Sequence, residues 1–113
     1  MLHKMKLYSQ PFEMIKNGSK NVEIRLNDEK RHMLSIGDII EFSEIDNLNN
    51  KIRVKVTALY KYSDFFQLYK DFDKSSMGYK SDEIADPNDM YNYYSKENIE
   101  KYGALAIGVQ LQN

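Results

Sequence analysis

From residue 51 to residue 61 the chain alternates with a period of two. Ile52, Val54, Val56, Ala58 and Tyr60 hold one set of positions, and Lys51, Arg53, Lys55, Thr57, Leu59 and Lys61 hold the other. Successive side chains of a strand leave on opposite faces, so an alternation of this length reads as a half-buried strand. The fold must therefore contain a sheet, with an apolar face inward and a mostly basic face outward. That basic face reads as solvated surface rather than as a nucleic-acid stripe. Residues 4–8, 22–26, 39–42 and 105–111 supply further strands, and the Asn-rich residues 46–50 read as a hairpin loop.

Short helices fall between the strands. Ser9-Gln10-Pro11 reads as a helix start, with Ser9 as the cap and Pro11 in the first turn. Phe12 and Ile15 share its apolar face, and Asn17-Gly18 is a stop. Asp64 caps a second helix carrying Phe65, Phe66, Leu68, Tyr69 and Phe72. Residues 75–86 have no period and read as a loop, a candidate lid. Asp86-Pro87 opens a helical stretch through Met90, Tyr93 and Tyr94, and Ser95 caps a last one that Gly103 ends. The fold class that follows is mainly β with α (α+β): a small β-barrel decorated by short helices, which leaves few exposed edges. An open α+β sheet is the competing arrangement. A chain of 113 residues supports one core, so residues 1–113 are expected to form a single domain.

Composition narrows the chemistry. The chain has no Cys, which removes disulfides, thiolate nucleophiles and zinc-thiolate sites and suits a cytoplasmic protein. His3 and His32 are far apart and read as surface residues, so no metal and no cofactor is expected. No stretch approaches the roughly 20 apolar residues of a membrane helix, so no membrane partner is expected. The net charge of −1 argues against a non-specific nucleic-acid coat. Its distribution is uneven. Residues 1–31 hold seven Lys/Arg against four Asp/Glu, whereas residues 63–101 hold five against nine. An asymmetry of this kind can steer a charged ligand. A monomer is the working expectation.

The residues with the most chemistry lie in Gly18-Ser19-Lys20-Asn21-Val22-Glu23-Ile24-Arg25. Glu23 and Arg25 are two apart in a strand, point the same way and can pair. Lys20 has the opposite parity and joins them only if the turn re-aims it. Spacing alone makes this a surface ion pair beside a solvated lysine. Tyr8 ends the first strand beside this segment and can line a cleft there. Tyr91, Tyr93 and Tyr94 offer rings on which a base could stack. Ser95, besides capping, precedes the last strand and could reach the same mouth. Ser9 is a cap rather than a nucleophile.

The segment resembles the G-x-K-x-x-E-x-R pattern of the ASCH domain family, whose fold is similar to the PUA barrel. Gly37-Asp38-Ile39-Ile40-Glu41-Phe42 resembles the G-D-x-I-x-F element that follows it, and residues 102–109 resemble the family's last helix end and final strand. The likeness covers nearly the whole chain. It implies RNA or a modified nucleoside as partner, bound beside Lys20, Glu23 and Arg25. The alternatives it implies are a hydrolase using the same cleft, either a ribonuclease or an N4-acetylcytidine-type amidohydrolase, and a protein-interaction adaptor remains a third reading. In the acetylcytidine subgroup the motif Lys is catalytic and a Thr stands where this chain has Glu23. Lys20 therefore carries over as a catalytic candidate, and Glu23 is a departure that could act as a carboxylate base. With Glu23 at hand, Lys20 is expected to remain a cation that holds phosphate or an oxyanion, rather than to shuttle protons.

Overall fold

The alternating segment becomes the longest strand of a five-stranded mixed sheet. In the computed structural model, which describes residues 1–112, the strands are β1 (Leu2–Leu7), β2 (Val22–Leu26), β3 (Ile39–Glu44), β4 (Asn47–Tyr62) and β5 (Ala104–Gln112). The expected domain runs one residue further, to Asn113, outside the described residues. The helices are α1 (Ser9–Lys16), α2 (Phe65–Lys70) and α3 (Lys96–Tyr102), with 3-10 turns at Arg31–Met33 and Pro87–Asn92. The strand order is β1-β3-β4-β5-β2, with β1 and β3 parallel and every other pair antiparallel. No helix is long and apolar enough to cross a membrane.

The sheet curls until its two edge strands, β1 and β2, face each other across a seam. Side chains bridge that seam: Arg25 Nη2 donates to the Lys6 carbonyl at 2.8 Å, and Lys30 Nζ donates to the Lys4 carbonyl at 3.1 Å. A carbonyl on an unpaired edge needs a donor, and these two cations supply it. The result is an α+β half-barrel.

Two apolar clusters hold it. Inside the barrel, Phe42, Ile40, Val54, Val56, Leu105 and Ile107 are fully buried, and α1 inserts Phe12 and Ile15 among them. On the far face of β2 and β5, α2, α3 and the segment after α2 pack Phe65, Leu68, Met77, Met90 and Ile99 against Val22, Leu26, Ala104 and Ala106. The small residues of β5 are thus covered by helices, and Ala104 through Val109 are buried on both faces.

The alternation of β4 breaks where the sequence showed none. Register shifts between Val56 and Ala58, a bulge. Before it, Val56 pairs with Val109; after it, Leu59 pairs with Ile107 and Tyr60 with Ala106. The extra residue reverses the parity, so Leu59 packs on the barrel core while Tyr62 packs on the helix-covered cluster. The Asn-rich stretch is also not a loop: Asn47 to Asn50 begin β4, with Asn47 opposite Glu44, and the turn itself is residues 45–46.

Candidate functional site

Helix α1 ends at Lys16, and the chain turns through residues 17–21 into β2. The turn is fixed from both sides. Lys20 N–H bonds the Met14 carbonyl, and the N–H groups of Asn21 and Val22 both bond the Ser76 carbonyl, at 3.1 and 3.0 Å. This pinning re-aims Lys20. Its Nζ lies 3.0 Å from Glu23 Oε1 and donates to the Met77 carbonyl at 3.1 Å. Arg25 Nε and Nη2 each reach Glu23 Oε2 at 2.8 Å. Lys20, Glu23 and Arg25 therefore converge despite their parity.

The group is also buried, which corrects the surface pair that spacing implied. Glu23 is 3% exposed and Lys20 is 7% exposed. The register explains it: Glu23 pairs with Ile107 and Arg25 with Leu105, so both lie on the barrel-interior face of β2, at the seam. Burial by itself pushes the Glu23 carboxyl up. Attraction to Lys20 and then Arg25, with hydrogen bonds from both, outweighs it and brings the pKa from 4.5 to about 2. Burial opposes the charge on Arg25 in turn, but Glu23 outweighs this and raises its pKa.

The cluster opens into a cavity of about 590 Å³. Lys20 and Arg25 line it, and each keeps N–H groups with no partner among the described residues. Tyr79 and Asp89 line it too: Tyr79 Oη donates to Asp89 Oδ2 at 3.0 Å and shares a hydrogen bond with Tyr69 Oη at 2.8 Å. Burial, then Tyr69 and Asp89, raises the Tyr79 phenol above its ordinary value, so it stays a donor. Tyr8, Tyr93 and Tyr94 edge the cavity. Tyr8 and Tyr93 are 6.3 Å apart between ring centres and both more than half exposed, while Tyr94 stacks on Phe65 at 5.9 Å. The site thus offers two cations, a second carboxylate in the lining and exposed ring faces.

Of the residues expected from sequence, Lys20, Glu23, Arg25, Tyr8 and Tyr94 all line this cavity. Ser95 does not; its Oγ accepts from Asn98 N–H as the cap of α3. Tyr91 lies outside the lining as well. Ser9 is not a cap: α1 begins without a side-chain cap bond, and Ser9 Oγ bonds Asp46 Oδ2 at 3.0 Å. His3 is not a surface residue but is buried, with Nε2 2.8 Å from Asp38 Oδ2. Of the candidate lid, residues 75–86, the first part packs down as part of the site, with Met77 buried and Ser76 and Met77 bonded to the motif turn, while Ile84 stays exposed. Sequence reading missed Tyr79, Tyr69 and Asp89. Tyr79 lies in the run without period, whereas Tyr69 sits on α2 and Asp89 in the 3-10 turn Pro87–Asn92, where helical spacing gives no sign of a shared site.

The ASCH domain family model matches residues 5–112. Among solved structures, hypothetical protein PH0355 is 29% identical with a TM-score of 0.84, over 99% of this chain and 100% of that one. Protein PF0455 from Pyrococcus furiosus is 26% identical with a TM-score of 0.72, over 100% and 99%. A mutant ZmASCH protein from Zymomonas mobilis is 14% identical with a TM-score of 0.62, over 96% and 67%, and is similar in fold. No curated protein matches the chain.

Proposed function

The chain belongs to the ASCH domain family, and on that premise we propose that its cleft binds RNA or a modified nucleoside. The observation that carries the reading is the buried Lys20–Glu23–Arg25 cluster opening into the cavity. A lysine and an arginine held on one carboxylate are fixed donors for a phosphate or carbonyl oxygen. Asp89, also in the lining, has its Oδ2 bonded to Tyr79 and its Oδ1 available to accept an amino N–H. Tyr8 and Tyr93 supply the aromatic faces that single-stranded RNA recognition uses.

The hydrolase reading uses the same atoms less well. A general base works best with a pKa near the working pH. Glu23, at about 2 and with both oxygens taken by Lys20 and Arg25, suits the role of a positioning residue. Thermal shift and product analysis with the four ribonucleosides, N4-acetylcytidine and short RNA oligomers tests both readings. Binding predicts stabilisation of the wild type, loss of that shift in Lys20→Ala, and no product. Product formed by the wild type and not by Lys20→Ala would replace binding with hydrolysis. No shift and no product across the panel would sink both and leave the adaptor.

A further inference from the structure

A second cavity, of about 460 Å³, lies along the seam beside the cleft. Six of its lining side chains are Lys4, Lys6, Arg25, Lys30, Arg31 and Lys51, and none is a carboxylate. Lys6 and Arg25 line both cavities, so the groove and the cleft meet at Arg25. The chain places cations here for a structural reason, since Arg25 and Lys30 close the seam by bonding the carbonyls of β1. That demand does not account for the others. Lys4 and Lys6 stand on the outward face of β1, opposite Glu41 and Ser43 of β3, with Lys51 opposite Ser43 on the next strand. The nearby carboxylates are engaged: Asp28 pairs with Arg31 at 3.3 Å, and Glu41 pairs with Arg53 at 3.1 Å and Lys51 at 3.7 Å. Lys4, Lys6 and Lys30 have no carboxylate within ion-pair distance among the described residues.

We propose that this groove carries the phosphodiester backbone of a single RNA strand, one nucleotide of which occupies the cleft, so that the ligand is an oligonucleotide rather than a free nucleoside. The inference rests on the binding reading above and extends it. Three lysines outside ion-pair distance of any carboxylate among the described residues, beside a confined cleft, suit a charge repeated along a strand, whereas one nucleoside presents no charge to them. The groove is concave and ends at a cavity with ring faces, which a flat anionic membrane would not fill. A duplex keeps its bases stacked, and the cleft requires one to be splayed out.

The test compares a labelled mixed-sequence RNA of about eight nucleotides, within the usual single-strand site size, with the four free ribonucleosides across a salt series. Three phosphate contacts at about 0.7 each give a salt slope near −2, a loss of roughly twenty-fold in affinity between about 50 and 200 mM salt. Lys4→Gln with Lys30→Gln reduces that loss to about three-fold and leaves nucleoside binding unchanged. Because Lys30 also braces the seam, Lys4→Gln with Lys51→Gln serves as the second variant and must lower the oligomer's slope in the same direction. An oligomer that binds both variants with wild-type steepness overturns the groove and leaves the cleft standing. So does a nucleoside that binds as tightly as the oligomer. Anionic vesicles that bind in place of the oligomer, with the same loss in the variants, would make the groove a membrane contact. If neither oligomer nor nucleoside binds the wild type, the cleft reading falls and the groove with it.

Discussion

Asp38 and Glu23 both titrate at about 2, and they do so at opposite kinds of place. Asp38 sits where β1 begins. The His3 ring, then the Ser35 N–H, hold its pKa down, and the Met1 amine adds a 3.2 Å contact. Those donors end on Asp38 and knit the start of β1 to the turn before β3. Glu23 is buried, and burial alone would raise its pKa; Lys20 and Arg25 reverse that, and both of them face a cavity. A depressed carboxylate therefore does not mark a site by itself. What separates the two is whether the partners keep hydrogen-bonding capacity and whether there is room to use it.

The largest expected difference is in stability. Glu23→Ala leaves two cations buried with no counter-charge, and breaking a buried pair from one side costs about 3–5 kcal/mol. Asp38→Ala is expected to cost less, because Asp38 is nearer the surface and the Met1 amine released with it is exposed. Urea unfolding at pH 7 measures both. An equal or larger loss for Asp38→Ala would remove the distinction.

Acid separates them next. Both folded-state values lie below the ordinary ones, 4.5 for Glu23 and 3.8 for Asp38. The stability each contributes is present above that ordinary value and is lost as pH falls through about 2. For the buried Glu23 this amounts to roughly 3 kcal/mol. The gap between wild type and Glu23→Gln should therefore close by about that much between pH 7 and pH 2. Asp38→Asn should leave most of the acid limb intact. Unfolding curves across this range that are parallel for wild type and Glu23→Gln would show that Glu23 is not held as the geometry implies.

Sequence carried the elements further than it carried the faces. The strands, the caps at Asp64 and Ser95 and the stop after α1 were legible because each depends on local chemistry, a period, a capping oxygen or a glycine. The bulge after Val56 was not, because one unpaired residue leaves no mark on a run that still alternates. The motif residues could be named but not assembled. Lys20 reaches Glu23 only because the Ser76 carbonyl, more than fifty residues away, holds the turn. Their burial was hidden for a related reason: strands exposed on one face are the usual source of a charged alternation, and β2 is covered on both.

The smallest expected effect tests whether the cavity, rather than the backbone, distinguishes the two places. Gly37 precedes Asp38, and Gly78 follows Met77 over Lys20; their φ values are +96° and +98°. A side chain is strained at either, by about 1–2 kcal/mol. The surroundings differ. A Cβ at Gly37 meets nothing within 4 Å, whereas one at Gly78 falls 2.8 Å from Lys20 Cδ and must displace it. Gly37→Ala and Gly78→Ala should therefore lose similar stability in urea, with Gly78→Ala slightly the worse. Only Gly78→Ala should weaken the RNA oligomer, because only it moves the ammonium that reaches the cleft. Equal binding by the two variants would mean that the position of Lys20 does not set affinity, and the contrast between the Asp38 and Glu23 neighbourhoods would then be one of stability alone.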